Sequence, residues 1–361
     1  MKKNIEIPSS IFEYYIYQIL SEFQIERNSP YMSVDNDTEV KRRLLILMKD
    51  IGLVNEYIKR YGYTINVKYI KEIKDRASGN AYVEPEAVQE EGEDPIFETL
   101  VNCPVCGRNK IVRYELRAKS QQMQQTVLLV PIYSGAKGYK TADYTRDAVT
   151  VCPDCLFASP DKKDFCFPSV TGKGEEKSAL PSSVISDLKG KTDDRKILLA
   201  PLTKFENYFK KPRTTDVVID SYKLAMARAQ AEAWFEQPYS FFKLGSYALK
   251  IAHLQKAGKA DDTETLTEAL RYFEEAYRKS NCPNEDIELQ CLYTIIALKI
   301  RLNDYTSANS YLTAFSKLIS ERNEEMKTKP NLNTNCIEKW QDKSRYLWEE
   351  RENPDLFELK N

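Results

Sequence analysis

One histidine, His253, is all that the 361 residues contain. That scarcity excludes histidine-rich metal sites and histidine pairs, and a single His near a helix end reads as structural. Charge of one sign is equally short: 53 Lys and Arg stand against 54 Asp and Glu, a formal net charge of −1. The chain as a whole therefore lacks the positive field of a dedicated nucleic-acid binder, and just a local basic patch could serve that end. No apolar run approaches the roughly 20 residues of a membrane span. The opening "MKKNIEIPSSIFEYYIYQIL" begins with basic residues, but Glu13 and polar neighbours break what a secretory signal would keep apolar. A cytoplasmic location is the expectation, with reduced cysteines unless a metal holds them.

A chain of this length accommodates two or three folding units whose cores need no disulfides. Its eight cysteines carry the clearest chemistry. Four fall in two Cys-Pro-x-Cys turns, Cys103 with Cys106 in "CPVCG" and Cys152 with Cys155 in "CPDCL". Four thiolates can surround one zinc ion tetrahedrally, and such a turn folds tightly enough to aim two sulfurs at one centre. Pro104 and Pro153 restrict the turns before any metal arrives. Gly107 gives backbone freedom after the first pair, where the second has Leu156. A redox dithiol needs one pair, usually at the start of a helix after a strand, so two pairs framing a stranded segment point to metal. The interval 107–151 exceeds the roughly 15–20 residues of the common zinc-ribbon template, and an inserted hairpin explains the excess. Four Cys ligands leave no open position, which makes the zinc structural; iron in a rubredoxin-like site is the minor alternative.

Little else suggests catalysis, and a non-enzymatic protein is expected. Cys166, Cys282, Cys291 and Cys336 lack ligand spacing and read as buried or incidental thiols. "TGKGEEKS" lacks the ordered phosphate-loop pattern. The pairs Asp193 with Asp194 and Asp261 with Asp262 sit in polar stretches and read as solvated surface.

The patterning predicts a mainly α fold with a small β unit. Residues 1–77 read as an N-terminal helical region, with Val40, Leu44, Leu47, Ile51, Val54 and Ile58 at helical spacing after Asp37 and Thr38. Residues 78–95 read as an acidic linker. Residues 96–168 form a zinc-ribbon-like domain with the short strands "KIVRYELRA", "QTVLLVPIYS" and "DAVTV". Residues 169–195, rich in Ser, Gly, Lys and Pro, read as a linker or long loop. Residues 196–361 form a helical domain with an internal repeat: "TEALRYFEEAY" aligns with "TSANSYLTAFS", matching Ala269 with Ala308 and Tyr272 with Tyr311. Each copy follows a longer helix, the plan of tetratricopeptide-like (TPR-like) units, although the spacing exceeds the usual repeat of about 34 residues. "CIEKWQDKSRYLWEE" reads as a capping helix with Ile337, Trp340 and Leu347 inward.

The combination of "CPVCG", "VCPDCLFAS" and "DFCF" with "ALRYFEEAY" and "CLYTIIALKIRLNDYTSANSYL" resembles the bacterial family called domain of unknown function 2225 (DUF2225), over residues 97–318. The resemblance implies a zinc-ribbon-like unit joined to TPR-like helices. It places Cys103, Cys106, Cys152 and Cys155 on the family's ligand positions, while Phe157, Ala158 and Phe165 fit the pattern after the second pair. Leu156 departs from the glycine expected there.

Two functions follow. In the first, the helices present a surface to a protein or peptide partner, and the metal-stapled unit orients it, making a scaffold or adaptor. In the alternative, the segment 108–140 reads nucleic acid: Arg108, Lys110, Arg113, Arg117, Lys119, Lys137 and Lys140 stand against Glu115 alone, with Tyr114, Tyr133 and Tyr139 among them. An ordinary charged face with tyrosines in the core is the blander reading of the same residues.

Overall fold

The computed structural model describes residues 92–358 apart from 137, 169–173, 201, 203 and 330–332. The expected N-terminal helices, most of the acidic linker and Lys137 lie outside the described residues. The fold is mainly helical, with short antiparallel strand pairs gathered around the cysteine turns. No helix among the described residues is long and apolar enough to cross a membrane.

Strands β1 (Ile96–Val101) and β2 (Ile111–Leu116) pair antiparallel from Ile96↔Leu116 to Val101↔Ile111. The first cysteine turn is the loop of this hairpin. Strands β3 (Gln121–Gln125) and β4 (Pro131–Gly135) form a second hairpin, the expected insertion. Strands β5 (Thr150–Val151) and β6 (Ala158–Ser159) form a third, with the second cysteine turn as its loop. Strand β7 (Phe167–Pro168) pairs with β8 (Glu175–Glu176), and a bridge between Asn102 and Cys166 lays that part of the chain beside the first turn. The expected strand "QTVLLVPIYS" is corrected: Gln125 ends β3, residues 126–130 form the hairpin loop, and from Pro131 the run belongs to β4. The loop begins at Thr126, whose N–H donates to the Val130 carbonyl at 2.9 Å.

Helix α1 (Ser182–Gly190) and helix α2 (Thr192–Leu198) occupy much of the stretch expected to be a linker or loop. Composition misled there because two residues decide the matter. Val184 and Leu188, four apart on one helix face, are buried together with Leu180 against Val101, Ile111, Phe157 and Phe165.

The remaining helices are α3 (Thr215–Trp234), α4 (Ser240–Ala257), α5 (Thr263–Arg278), α6 (Glu285–Arg301), α7 (Tyr305–Met326) and α8 (Asn335–Glu349). Asn284 caps α6 by accepting from the Ile287 N–H, and Asp304 caps α7 by accepting from the Ser307 N–H. Helix α4 packs on α3 and α5, while α6 packs on α5, α7 and α8. The aligned residues Ala269 and Ala308 are both fully buried, and Tyr272 is buried where Tyr311 is half-buried. Ile337, Trp340 and Leu347 of α8 face inward as expected. His253, half-buried on α4, has its pKa lowered, chiefly by burial.

Residues Glu86–Thr192 and Thr215–Asn361 make one compact unit, and Asp193–Thr214 falls outside it. Ala231 of α3 belongs to the same buried cluster as Cys103, Cys155 and Phe157 of the stranded segment.

Candidate metal centre

Each cysteine turn closes by the same two backbone hydrogen bonds. In the first, the Cys103 N–H donates to the Arg108 carbonyl (2.8 Å) and the Gly107 N–H to the Cys103 carbonyl (3.0 Å). In the second, the Cys152 N–H donates to the Phe157 carbonyl (2.8 Å) and the Leu156 N–H to the Cys152 carbonyl (2.9 Å). This geometry demands a left-handed residue after the second Cys, and both Gly107 (φ 77°) and Leu156 (φ 58°) supply it. A side chain in that region costs about 1–2 kcal/mol. Leu156 is fully buried, and burial of a leucine contributes about 1.5–3 kcal/mol, enough to offset the strain. The departure from glycine thus leaves the turn unchanged.

The two hairpins bring the four sulfurs of Cys103, Cys106, Cys152 and Cys155 within 4.8 Å of one another. Cys103 Sγ lies 3.5 Å from Cys155 Sγ, and Cys106 Sγ lies 3.5 Å from Cys152 Sγ. Four thiolates at about 2.3 Å from one zinc would stand about 3.8 Å apart, so the cluster has the size that a tetrahedral ion requires. None of the four is in a disulfide; three are buried and Cys106 is exposed. Hydrogen bonds from Cys103 and Cys152 hold the Cys155 thiol down to about 4, while hydrogen bonds to Cys152 and Cys155, with burial, push Cys103 up. A cation at the centre would favour the charged form of all four thiols together.

The surroundings fix both hairpins. Phe157 and Phe165, fully buried, meet edge to face at 5.0 Å. Arg108 pairs with Asp154 at 2.6 Å, joining the two turns across a partly exposed surface where such a pair contributes little stability. Buried Arg113 donates to Glu115 (3.2 Å), Thr150 Oγ1 (3.2 Å) and the Pro160 carbonyl (2.8 Å), tying β2 to the third hairpin.

Arg113 was a candidate nucleic-acid contact, and those bonds commit it to the interior. Arg108 is half-buried in its pair with Asp154, and Lys140 is half-buried. Lys110, Arg117 and Lys119 are exposed, Arg117 lying over the Phe97 ring at 5.6 Å. Tyr114 is buried, and half-buried Tyr133 packs edge-on against Tyr144 at 6.2 Å. Neither ring stands free as a stacking platform.

Sequence reasoning missed a buried polar network beside the cluster. Arg228 of α3, 1% exposed, donates to Asp164 Oδ2 (2.6 Å), Glu232 Oε1 (2.8 Å) and the Tyr247 hydroxyl (2.8 Å). Ser159 donates to the same Asp164 oxygen at 2.5 Å, and Lys243 to Glu232 Oε2 at 2.8 Å. Burial opposes the Arg228 charge, and Tyr247, Asp164 and Glu232 outweigh it, leaving the guanidinium pKa raised. Among the described residues its Nε finds no acceptor. The signal in the sequence was Arg228 and Glu232, four apart on a stripe with Leu224, Ala225 and Ala231.

A family model described as an uncharacterized protein conserved in bacteria (DUF2225) matches residues 96–343, more than half of the chain, and the chain belongs to that family. The match runs from β1 into α8, past the end of the resemblance read from the motifs. No curated protein and no solved structure matches the chain.

Proposed function

We propose that this member of the DUF2225 family is a non-enzymatic cytoplasmic adaptor. Its four clustered cysteines hold a structural zinc ion, and its helices take a protein partner. The observation that carries the reading is the four-sulfur cluster at the loops of two hairpins. Cys103, Cys106, Cys152 and Cys155 would fill the coordination of a tetrahedral ion and leave no position for water or substrate. A bound ion there serves as a staple between hairpins. Iron would accept the same ligands, and elemental analysis separates the two.

The partner reading is supported by the helix pairs α4 with α5 and α6 with α7, whose second members carry the matched buried Ala269 and Ala308. Stacked helix pairs of this TPR-like kind expose long surfaces suited to protein segments. The buried Arg228 network supports a positioning role, since it fixes the stranded module on α3 with both carboxylates paired.

The test is purification of the tagged full chain from its native cytosol, with and without nuclease, followed by elemental analysis and a salt series. The expected result is one zinc per chain and stoichiometric proteins that survive nuclease. A chain free of metal sinks the staple. Bound material that leaves with nuclease, or steeply with salt, moves the reading to nucleic acid on the exposed Lys110, Arg117 and Lys119.

A further inference from the structure

Hairpin β3–β4 accounts for the long interval between the cysteine turns, and its chemistry is odd for a loop. Among the described residues its strands pair with each other and with no third strand. A three-residue hairpin loop that ends in the left-handed region ordinarily takes glycine there and polar residues beside it. Here the loop is Val127, Leu128 and Leu129, with Leu129 at φ 60°. The turn is set by the Leu129 N–H donating to the Thr126 carbonyl and the Thr126 N–H to the Val130 carbonyl, both at 2.9 Å. Residues 120–136 include no charged side chain, in a chain that is 30% charged.

These aliphatic side chains pack against the buried cluster of α6, α7 and α8 that contains Tyr293, Ile296, Ile337 and Trp340. The Tyr293 hydroxyl donates to the Val127 carbonyl at 2.9 Å. Val130, at the end of the loop, is buried, and at the base Tyr133 of β4 packs edge-on against Tyr144 while Gln121 donates to the Lys140 carbonyl at 2.8 Å. Val127, Leu128 and Leu129 stay half-buried, and Gln122, Met123, Gln124 and Gln125 of β3 are exposed. A tip built of aliphatic residues against the usual preference of its turn, seated on distant helices at the end of an uncharged hairpin whose β3 is largely exposed, has the form of a ligand held by a tether.

We propose that the helical face beneath the apex is a protein-docking surface which the chain's own hairpin occupies. The partner it fits is a protein presenting an uncharged, aliphatic segment of the same kind, which displaces the apex on binding. This rests on the adaptor reading and names its surface. Tethering gives the resident apex a millimolar effective concentration, so a partner binds only the fraction of molecules whose hairpin is lifted.

The probe is a synthetic, dye-labelled peptide of residues 121–135, titrated by fluorescence anisotropy into the full chain and into a triple variant. That variant, Val127→Ser with Leu128→Ser and Leu129→Gly, removes the apex side chains and supplies the residue its backbone favours. The peptide should bind the variant at least about tenfold more tightly than the unaltered chain. Affinity should hold between roughly 0.05 and 0.5 M salt, because the contact has no charge to screen. Tyr293→Phe in the variant should weaken it by up to about tenfold through the lost hydrogen bond. In the unaltered chain, saturating peptide should accelerate hydrogen exchange of the resident hairpin amides.

Equal affinity for both chains, no binding to a folded variant, or hairpin exchange unmoved by bound peptide overturns the proposal. The exchange measurement does so even where the variant misfolds. Dimers of the unaltered chain that become monomers in the variant would replace the partner with a second copy exchanging hairpins, and also overturn it. The two readings fail separately: proteins retained on purification beside a failed peptide put docking elsewhere, while peptide displacement with no retained protein sinks the adaptor.

Discussion

The guanidinium of Arg228 reaches Asp164, Glu232 and Tyr247 from one closed position, so removing it leaves buried Asp164 without a cation and Glu232 with Lys243 alone. Arg228→Met should cost about 3–5 kcal/mol, the scale for breaking a buried pair by taking away one partner. Urea denaturation would show it as a lower midpoint at unchanged slope. A triple change that also makes Asp164→Asn and Glu232→Gln should recover much of the loss; a single-variant cost below about 1 kcal/mol would mean that water relieves the carboxylates. Single residues differ greatly in how visible such roles are in sequence. Cys103, Cys106, Cys152 and Cys155 were legible because a three-residue spacing within each turn already fixes half the geometry. Asp164 was not, because its partner Arg228 lies 64 residues away and only folding joins them. Arg113 was legible in retrospect: on β2 it shares the inward face with Ile111, which strand alternation dictates.

Gly245 of α4 lies against Phe273 of α5, where an added Cβ would sit 2.7 Å from a ring carbon. That ring is 1% exposed and stands edge-on to Phe242 at 5.8 Å, so it has little room to yield. Gly245→Ala should therefore lower stability by about 1–3 kcal/mol. The alanine's better helix propensity, about 1 kcal/mol, is too small to reverse that. The melting temperature is the readout; an increase would show that the crossing can open. Adding Phe273→Leu should restore part of the loss. The helices themselves were readable, since "YSFFKLGSYALKIAHLQ" and "IELQCLYTIIALKIRL" fall on α4 and α6 and period and caps act locally. Helix α1 was hidden by its Ser-rich and Lys-rich surroundings, with few apolar residues, Val184, Ile185 and Leu188, to betray an inner face. The run "TVLLV" satisfied every compositional rule for a strand and became a loop, because its side chains bury against distant helices instead of a neighbouring strand.

On the scale of the molecule, the stranded module and the helices from Thr215 onward melt together or apart according to whether their shared core matters. The three tryptophans, Trp234, Trp340 and Trp348, lie in α3 and α8, so their fluorescence reports on the helices alone. On the zinc reading proposed above, a chelator should lower the fluorescence-monitored melting temperature, because Ala231 of α3 shares a buried cluster with Cys103 and Cys155. Structural zinc in small domains is worth roughly 10–16 kcal/mol of binding, ample to move such a transition. An unchanged midpoint would confine the staple's effect to the hairpins. This continuity was invisible in the sequence, where a polar stretch between two patterned regions resembles a boundary whichever way its few apolar residues turn. The long reach of the Tyr293–Val127 contact, 166 residues, also has a bearing on how the chain is made. At about 5–20 residues per second, the apex leaves the ribosome roughly 10–30 s before its helical seat exists. Through that interval the aliphatic tip is naked, and the uncharged glutamine strand beside it provides solubility but no electrostatic guard. The newborn chain is thus most adhesive at an intermediate length, when the tip has emerged and Tyr293 has yet to be added.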